Sequence, residues 1–355
     1  MNRKAIHPSR REAGFTLLEL LVSLAVTAVL ILGVLATFDF SARMNRVQLN
    51  VADMQQSLRI AQNEIVKLAR MAGRGTLPRW VAIEVDNNVP ANHELISGKA
   101  ATGVLEGTDV LTIRGVFNSS LYQIAYLNPK VWSAPDADGD GSVLVLPSAA
   151  GVPQDLDALR GIATPGETLL LVTPDDVAGV ALILGWDDEP IEIAPGVIVI
   201  GVRISFEKHP EEGDLGPLAP GLPAVAQVGV LEEHVFYVRT TGADGVAPSL
   251  ARARMDPGSG QAYKEDVANA TLDIADNIAD LQIALPDLPL PAGEPDLRVS
   301  TLARTDRADP GNYQAAVLPA TIEDHAYPSN HPFNSDAGRR YRWRLMRTNV
   351  NMRNL

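Results

Sequence analysis

The sequence predicts an α+β protein: a long N-terminal α-helix, with a transmembrane half and an amphipathic half, packed on a β-rich globular head with an antiparallel sheet. Three observations predict this class. An apolar stretch, Phe15–Phe38, follows a basic N-terminus. A helical repeat of apolar residues comes next. Beyond it, short apolar runs alternate with turn-forming segments in a chain with 28 Gly and 25 Pro, which favours strands over a helical bundle.

Composition and charge exclude several kinds of function. The chain is 46% hydrophobic and 21% charged, as expected of a globular protein with a sizeable core. It has no cysteine, which rules out disulfides, thiolate nucleophiles and cysteine-based zinc sites. The net charge is −13, so we expect no nucleic-acid partner, because such binding needs Lys and Arg to replace the counterions of phosphates.

The apolar stretch predicts a membrane-spanning helix with an unusual acid. Phe15–Phe38 contains one charged residue, Glu19. As a helix it is about 36 Å long, enough to cross a hydrocarbon core of about 30 Å. Secretory signals have a shorter apolar region, about 7–15 residues. A plain anchor in which Glu19 reaches the interface is the alternative, but a carboxylate in a spanning helix is costly and usually functional.

The N-terminal residues carry a specific resemblance. Arg10-Arg11-Glu12-Ala13-Gly14-Phe15-Thr16-Leu17-Leu18-Glu19 resembles the signal of type IV prepilins and type II secretion pseudopilins. The resemblance implies that prepilin peptidase cuts between Gly14 and Phe15 and that Phe15 is N-methylated. It also implies that Glu19 pairs with the new amino group of Phe15 on a neighbouring subunit. A buried charge pair of this kind can fix the axial register between helices.

The same resemblance implies partners and a location. The expected partners are other minor and major pilins, the prepilin peptidase and the inner-membrane assembly platform. The positive-inside rule places residues 1–14 in the cytoplasm and the head outside the membrane. We expect a precursor in the inner membrane with its head in the periplasm, then a subunit of a surface pilus or a periplasmic pseudopilus.

The helical pattern continues beyond the membrane segment. Apolar residues recur at alternating steps of four and three, which predicts a buried stripe on an otherwise polar helix: Val47, Val51, Met54, Leu58, Ala61, Ile65, Leu68 and Ala72. Gln62 and Glu64 are assigned to the solvated face. Gly73, Gly75 and Pro78 predict the end of the helix. A two-stranded coiled coil is the alternative, but the large β-rich segment that follows favours packing of the stripe on the head.

Strand-like runs between turn signals predict the sheet of the head. They are Asp109–Val116, Ser142–Leu146, Thr168–Thr173, Val180–Leu184, Val197–Phe206, His234–Arg239, Leu281–Ala284, Arg298–Arg304 and Tyr341–Met352. Three segments are predicted loops: Pro210–Gly221, Gly242–Ser249 and Leu285–Pro295. The predicted division is a leader (1–14), a transmembrane helix (15–38), an amphipathic helix (39–77), a β-rich head (78–284) and a proline-rich link with C-terminal strands (285–355).

Weaker motifs in the head resemble the PilW group of minor pilins. They are Arg70–Gly73, Gly107–Arg114, Ala279–Gln282 and the closing run from Tyr341 to Asn354. The chain lacks the proline in the apolar helix and the C-terminal disulfide that many major pilins carry, which favours a minor subunit that helps to initiate or cap the pilus. The pseudopilin J group has a similar layout and is the nearest competitor. A membrane-anchored periplasmic binding or hydrolytic domain that only imitates the signal is the alternative from a different class.

One further motif concerns metal binding, and none suggests catalysis. Asp136, Asp138 and Asp140, followed by Gly141, have the spacing of a calcium loop, in which alternate oxygens converge on one cation. Pro147 occupies the position at which a bidentate Glu is expected. The alternative is an acidic turn between two strands. The sequence has no phosphate loop, nucleophile elbow or dinucleotide fingerprint, so we expect no enzyme activity and no cofactor other than this calcium ion.

Overall fold

The computed structural model describes residues 15–75, 82–90, 93, 95, 104–125, 131–210, 224–241, 247–258, 261–262, 271–285, 297–309 and 313–352. Helix α1 runs over Leu17–Ala69, and a short helix, α2, over Leu156–Ile162. The chain forms two compact units, the first ending at Ala52 and the second running from Asp53 to Leu355. The predicted class, a long apolar N-terminal helix followed by a β-rich head with a large antiparallel sheet, is confirmed.

The described strands are mostly short, apart from four long ones in the middle of the head. In chain order they are β1 Ile83–Asp86, β2 Val110–Gly115, β3 Tyr122–Gln123, β4 Trp132–Ser133, β5 Gly141–Val145, β6 Ser148–Ala149, β7 Val152–Pro153, β8 Thr168–Val172, β9 Ala178–Ala194, β10 Val197–Lys208, β11 Gln227–Thr241, β12 Ala247–Asp256, β13 Gln261–Ala262, β14 Thr271–Asp276, β15 Ile278–Ala284, β16 Leu297–Arg304, β17 Thr321–Ile322, β18 His325–Ala326 and β19 Trp343–Val350.

The large sheet is organised around β11. Its first residues pair with β8, where Val228 lies opposite Leu171. Its later residues pair with β2 on one side and β12 on the other. The order across the main path is β1-β2-β11-β8-β9-β10-β5-β4, and β14 extends the sheet from β12. Helix α2 buries Leu156 and Leu159 in the core that lies over β5, β8 and β10.

A second, smaller sheet joins β15, β16 and β19 in that order. β16 is its middle strand and pairs antiparallel with both neighbours. The predicted boundary between residues 284 and 285 therefore falls between two paired strands of one sheet. The C-terminal strands complete a sheet that begins at Ile278.

The first half of α1 exposes its apolar side chains. Leu20, Leu24, Leu30 and Leu35 are each more than half exposed. Among the described residues, α1 is the one helix whose length and composition suit a membrane crossing. An apolar surface of this kind on all sides needs a partner other than water, either lipid or other helices.

The last part of α1 instead buries one stripe. Six residues of the predicted stripe are buried, in agreement with packing on the head: Met54, Leu58, Ala61, Ile65, Leu68 and Ala72. Val47 and Val51 are only half-buried. Arg252 of β12 forms an ion pair with Glu64, so this end of the helix also has a polar contact with the large sheet.

Gln62 corrects the predicted solvated face. Its side chain is 2% exposed, and its Nε2 donates to Thr301 Oγ1 over 3.0 Å and to the carbonyl oxygen of Met346 over 2.9 Å. Its Oε1 accepts a hydrogen bond from the Thr348 hydroxyl. Both ends of the amide are thus bonded to β16 and β19, which places α1 in a single register on the small sheet.

The turn after α1 joins the helix directly to the large sheet. Helix α1 ends at Ala69, and Gly73 adopts a left-handed φ of 70°, as its role in ending the helix requires. The Gly73 N–H donates to Arg114 O, and the Val116 N–H donates to Arg74 O. The residues that terminate the helix therefore also pair with β2.

Every predicted strand is present, but several boundaries and one loop were wrong. β9 and β11 extend well beyond the predicted runs, and β12 and β14 were not predicted. The end of the predicted loop Gly242–Ser249 belongs to β12. Most of the predicted loops Pro210–Gly221 and Leu285–Pro295 lies outside the described residues. β12 was missed because alternating Ala and Arg have weak strand propensity, which its pairing with β11 overrides.

We expect Gln62→Ala to destabilise the head by about 1–3 kcal/mol, because it leaves buried hydroxyl and carbonyl groups of β16 and β19 without their partner. Urea unfolding of the full chain in detergent micelles measures this. Gln56→Ala, at an exposed position on the same helix, is the matched control and should stay within about 0.5 kcal/mol of wild type. Equal effects of the two substitutions would contradict the docking role of Gln62.

Candidate functional site

The predicted processing site lies at the start of α1. Gly14 lies outside the described residues, so the structure describes only the Phe15 side of the bond. The Phe15 side chain is 88% exposed, and the helix begins two residues later, at Leu17. On the described side, the residues next to the predicted cleavage position are thus on the surface and outside the helix.

Thr16 and Glu19 form a reciprocal cap at this end of α1. Glu19 Oε2 accepts from the Thr16 N–H and from the Thr16 hydroxyl, both over 3.0 Å. The Glu19 N–H donates to Thr16 Oγ1 over 3.2 Å. This is a capping box, which satisfies backbone N–H groups that the first turn of a helix leaves without partners. Sequence reasoning missed it, although Thr-x-x-Glu before an apolar run is its known signature.

The acidic loop between β4 and β5 is a tight turn. Asp136 Oδ1 accepts from the N–H groups of Asp138 and Asp140 over 2.9 and 3.0 Å, and Gly139 has a left-handed φ of 88°. Within the described ranges no three His, Asp or Glu side chains are arranged to hold a metal ion. These hydrogen bonds account for Asp136 as a turn residue, and calcium binding by the loop stays a prediction.

The structure brings two of the weaker head motifs into contact. Asp109 accepts from the Ile283 N–H over 2.6 Å and from the Asn88 N–H over 2.9 Å, and its own N–H donates to Leu281 O. Gln282 Nε2 donates to Gly107 O over 3.0 Å. The segments Gly107–Arg114 and Ala279–Gln282 therefore meet at the edge of β15, through buried polar groups.

The hairpin β17–β18 packs next to this contact. Tyr327, just after the hairpin, donates its hydroxyl to Asp280, which is 1% exposed. At its tip, Glu323 accepts from the Ser300 hydroxyl over 2.8 Å and pairs with Arg298, while Asp324 accepts from the Asn88 side chain over 3.0 Å. These polar groups link several elements of the head, which is a structural role.

Burial raises the pKa values of two acids in this region, Asp109 and Asp280. Desolvation raises the pKa of Asp109 to about 7, and the nearby carboxylates of Asp324 and Asp280 act in the same direction. The two backbone N–H groups that Asp109 accepts from oppose this increase. Burial also raises the pKa of Asp280 above its ordinary range, against the hydrogen bonds from Gln282 and Tyr327.

Comparison with known proteins identifies the N-terminal segment. Residues 9–35 match the family model described as the prokaryotic N-terminal methylation motif. The match includes Gly14, Phe15, Thr16 and Glu19. It supports a type IV pilin-like or pseudopilin-like protein, a class whose members interact with other pilins and with prepilin peptidase. No curated protein and no solved structure matches the chain.

The raised pKa of Asp109 predicts a pH dependence of stability. An unfolded Asp has a pKa of about 3.9. Between about pH 4 and 7 the folded state therefore retains a proton that the unfolded state has lost, and the free energy of unfolding falls as the pH rises. We expect Asp109→Asn, which carries no titrating proton, to flatten this slope, as measured by urea unfolding at a series of pH values.

A matched control for this experiment is Asp138→Asn, because Asp138 lies in the exposed acidic loop. Its slope should equal that of the wild type. Asp280 contributes a slope of the same sign, so the Asp109→Asn profile should become shallower without becoming level. An unchanged slope in Asp109→Asn would contradict the assignment of the proton to Asp109.

Proposed function

We propose that this chain is a minor subunit of a type IV pilus, a non-enzymatic structural protein that helps to initiate or cap the filament. The observation that carries the proposal is the methylation motif at residues 9–35, with Glu19 on an exposed apolar helix. The motif supplies the processing step, and the helix supplies the surface that enters the filament. The head then extends from the membrane into the periplasm.

Two features support an accessory subunit of the PilW type. The chain has 355 residues and no cysteine, so it departs from the pattern of major pilins, which are typically shorter and often carry a C-terminal disulfide. In addition, the two PilW-like segments of the head meet: the Asp109 N–H donates to Leu281 O, and Gln282 Nε2 donates to Gly107 O. Two motifs that are distant in sequence are thus brought together by one contact in the fold.

Glu19 is the residue we propose for subunit docking. A carboxylate in an apolar helical bundle is costly alone and tolerable beside a cation. Cleavage after Gly14 creates such a cation, the amino group of Phe15, at one end of the same apolar surface. Pairing between Glu19 of one subunit and Phe15 of the next would fix how far each helix is displaced along the filament.

We expect the mature protein to begin at N-methylated Phe15, because the motif places the cleaved bond between Gly14 and Phe15. Mass spectrometry of the N-terminal peptide from the membrane fraction checks this. A strain without prepilin peptidase is the control and should retain Met1–Gly14. Assembled protein that keeps this leader would contradict the proposed processing.

The Glu19→Gln variant tests the role of Glu19 in docking separately from its role in helix capping. Gln can serve in a capping box as Glu does, so this variant should insert like the wild type. It has no charge for the Phe15 amine, so we expect at least about tenfold less of it in sheared filaments. Glu19→Ala should lose the cap as well and be equally absent from filaments. Immunoblots of filament and membrane fractions measure both.

Thr27→Ala is the matched control, because Thr27 is another polar residue of the apolar helix and its hydroxyl donates to Ser23 O of the same helix. It should enter filaments as the wild type does. Wild-type incorporation of Glu19→Gln would show that the charge of Glu19 is dispensable for docking.

A further inference from the structure

The β17–β18 hairpin is held on the head by side-chain contacts. We call its residues, from Thr321 to Tyr327, the strap. Its two strands pair with each other, and among the described strands neither belongs to the large or the small sheet. Ile322 and Tyr327 pack with Leu302 of β16 in a small apolar cluster. A two-stranded hairpin is marginally stable alone, so the position of the strap depends on its contacts with the rest of the head.

Polar contacts join the strap to the junction between the two sheets. Tyr327 donates its hydroxyl to Asp280 of β15. His325 Nδ1 lies 3.9 Å from Asp280 Oδ2. Asp324 Oδ2 accepts from Asn88 Nδ2 over 3.0 Å. The strap is thus attached through titratable groups, whose charge changes with pH.

The turn of the strap has a strained backbone. Glu323 and Asp324 connect its two strands. Glu323 has a left-handed φ of 53°, a region that glycine and asparagine favour in hairpin turns. Its carboxylate accepts from the Ser300 hydroxyl over 2.8 Å and from Arg298. Strain of this kind persists only where surrounding contacts hold it, so weaker contacts would favour detachment of the strap.

Three carboxyl groups come close together where the strap is attached. Asp109 is 0% exposed and Asp280 is 1% exposed, and the strap brings Asp324 near Asp109. Ionisation of the two buried acids would therefore place like charges side by side. The other titratable or charged groups around the strap are Asp86 with His93, Glu323 with Arg298 and Arg347, His325 and His331.

The two buried acids give the contact a pH dependence. Burial raises the pKa of Asp109 to about 7 and raises the pKa of Asp280 above its ordinary range. Detachment would return water to both acids and remove Asp324, so their pKa values would fall towards about 3.9. Between about pH 4 and 7 the attached state therefore retains protons that the detached state has lost. Detachment becomes easier as the pH rises, by up to about tenfold per pH unit for each proton.

One histidine acts in the opposite direction. Burial lowers the pKa of His331, so the attached state binds fewer protons at this ring than the detached state does below about pH 6.5. This contribution strengthens attachment as the pH rises. It comes from a single half-buried imidazole, whereas Asp109 and Asp280 are both almost fully buried. The net trend therefore follows the two acids.

We propose that the strap is a pH-dependent latch of the head, attached across the junction of the two sheets at acidic pH and detached in a growing fraction of molecules as the pH rises towards 7. Detachment uncovers the face of the small sheet at Asp280, Ser300 and Leu302, each of which is 1% exposed while the strap is attached. The surface that a partner can reach on the head thus depends on pH. This latch involves the head alone and is independent of the pairing proposed for Glu19.

Hydrogen exchange of the full-length protein in detergent micelles, from pH 5 to 8, tests the latch. Protection factors, which are corrected for the intrinsic effect of pH on exchange, are followed for the strap, including the Tyr327 N–H that donates to Ala320 O. We expect protection of the strap to fall by up to about tenfold per pH unit between pH 5 and 7 and then to level off. Leu169–Leu171 of β8, each 0% exposed, are the internal reference and should keep greater protection at every pH.

Two substitutions assign the effect to the proposed groups. Asp109→Asn cannot ionise, so the protection of the strap should depend less steeply on pH. Asp324→Asn removes a charge of the strap at an exposed position and leaves both buried acids in place, so protection at pH 7 should increase severalfold. Asp336→Asn, at an exposed position outside the strap, is the matched control and should follow the wild type. Circular dichroism verifies that each variant is folded.

Three results would overturn the proposal. The first is protection of the strap that does not change between pH 5 and 7. The second is equal protection of the strap and β8 at every pH, which would show that the strap exchanges only by global unfolding. The third is a wild-type profile in both Asp109→Asn and Asp324→Asn. Filament incorporation of Glu19→Gln has no bearing on this assay, so the two hypotheses fail separately.

Discussion

One buried amide, Gln62, determines how α1 lies on the small sheet. Apolar packing of Leu58 and Ile65 supplies burial, but apolar contacts alone tolerate small sliding of a helix. Gln62 removes that freedom, because its donor and its acceptor each have partners on β16 or β19. A displacement of α1 by one residue would leave these groups buried and unpaired, at a cost of roughly 1–3 kcal/mol for each. The last part of α1 is thus held on the small sheet by a contact that fixes its register as well as adding to stability.

The small sheet is in turn connected to the large one by the polar groups around β15. Asp109, the residue just before β2, accepts a hydrogen bond from the Ile283 N–H of β15. Asp280 of β15 accepts one from the hydroxyl of Tyr327, which follows the β17–β18 hairpin. Burial raises the pKa of Asp109 to about 7 and raises the pKa of Asp280 above its ordinary range. The head therefore depends on buried, hydrogen-bonded carboxyls at the junction between its two sheets, where purely apolar residues would give no directional contact.

Sequence periodicity predicted the fold wherever the burial of a residue follows from its position along a single helix or strand. The stripe from Met54 to Ala72 and the alternation in β10 are such cases, because burial on one face repeats at the helical or strand period. β12 and the outer part of β9 were not predictable in this way. Their Arg, Asp and Pro residues have weak strand propensity, and pairing with β11 or β10 determines their conformation. Gln62 likewise looked solvated, since its partners Thr301 and Thr348 are more than two hundred residues away in the chain.

Glu19 shows how a local contact and a proposed intersubunit contact can use one carboxylate. Within the single chain the carboxylate already accepts from the Thr16 N–H and hydroxyl, so it has hydrogen-bond partners without the proposed amine of a neighbouring subunit. The free energy gained on docking is then the energy of the pair between Glu19 and the new amine, less the energy of the cap that this pair weakens. It is smaller than the full energy of a charge pair. A moderate difference would let the proposed docking find its register without a kinetic trap. The Thr-x-x-Glu spacing, which places the cap next to the predicted cleavage position, makes both states available to the same side chain.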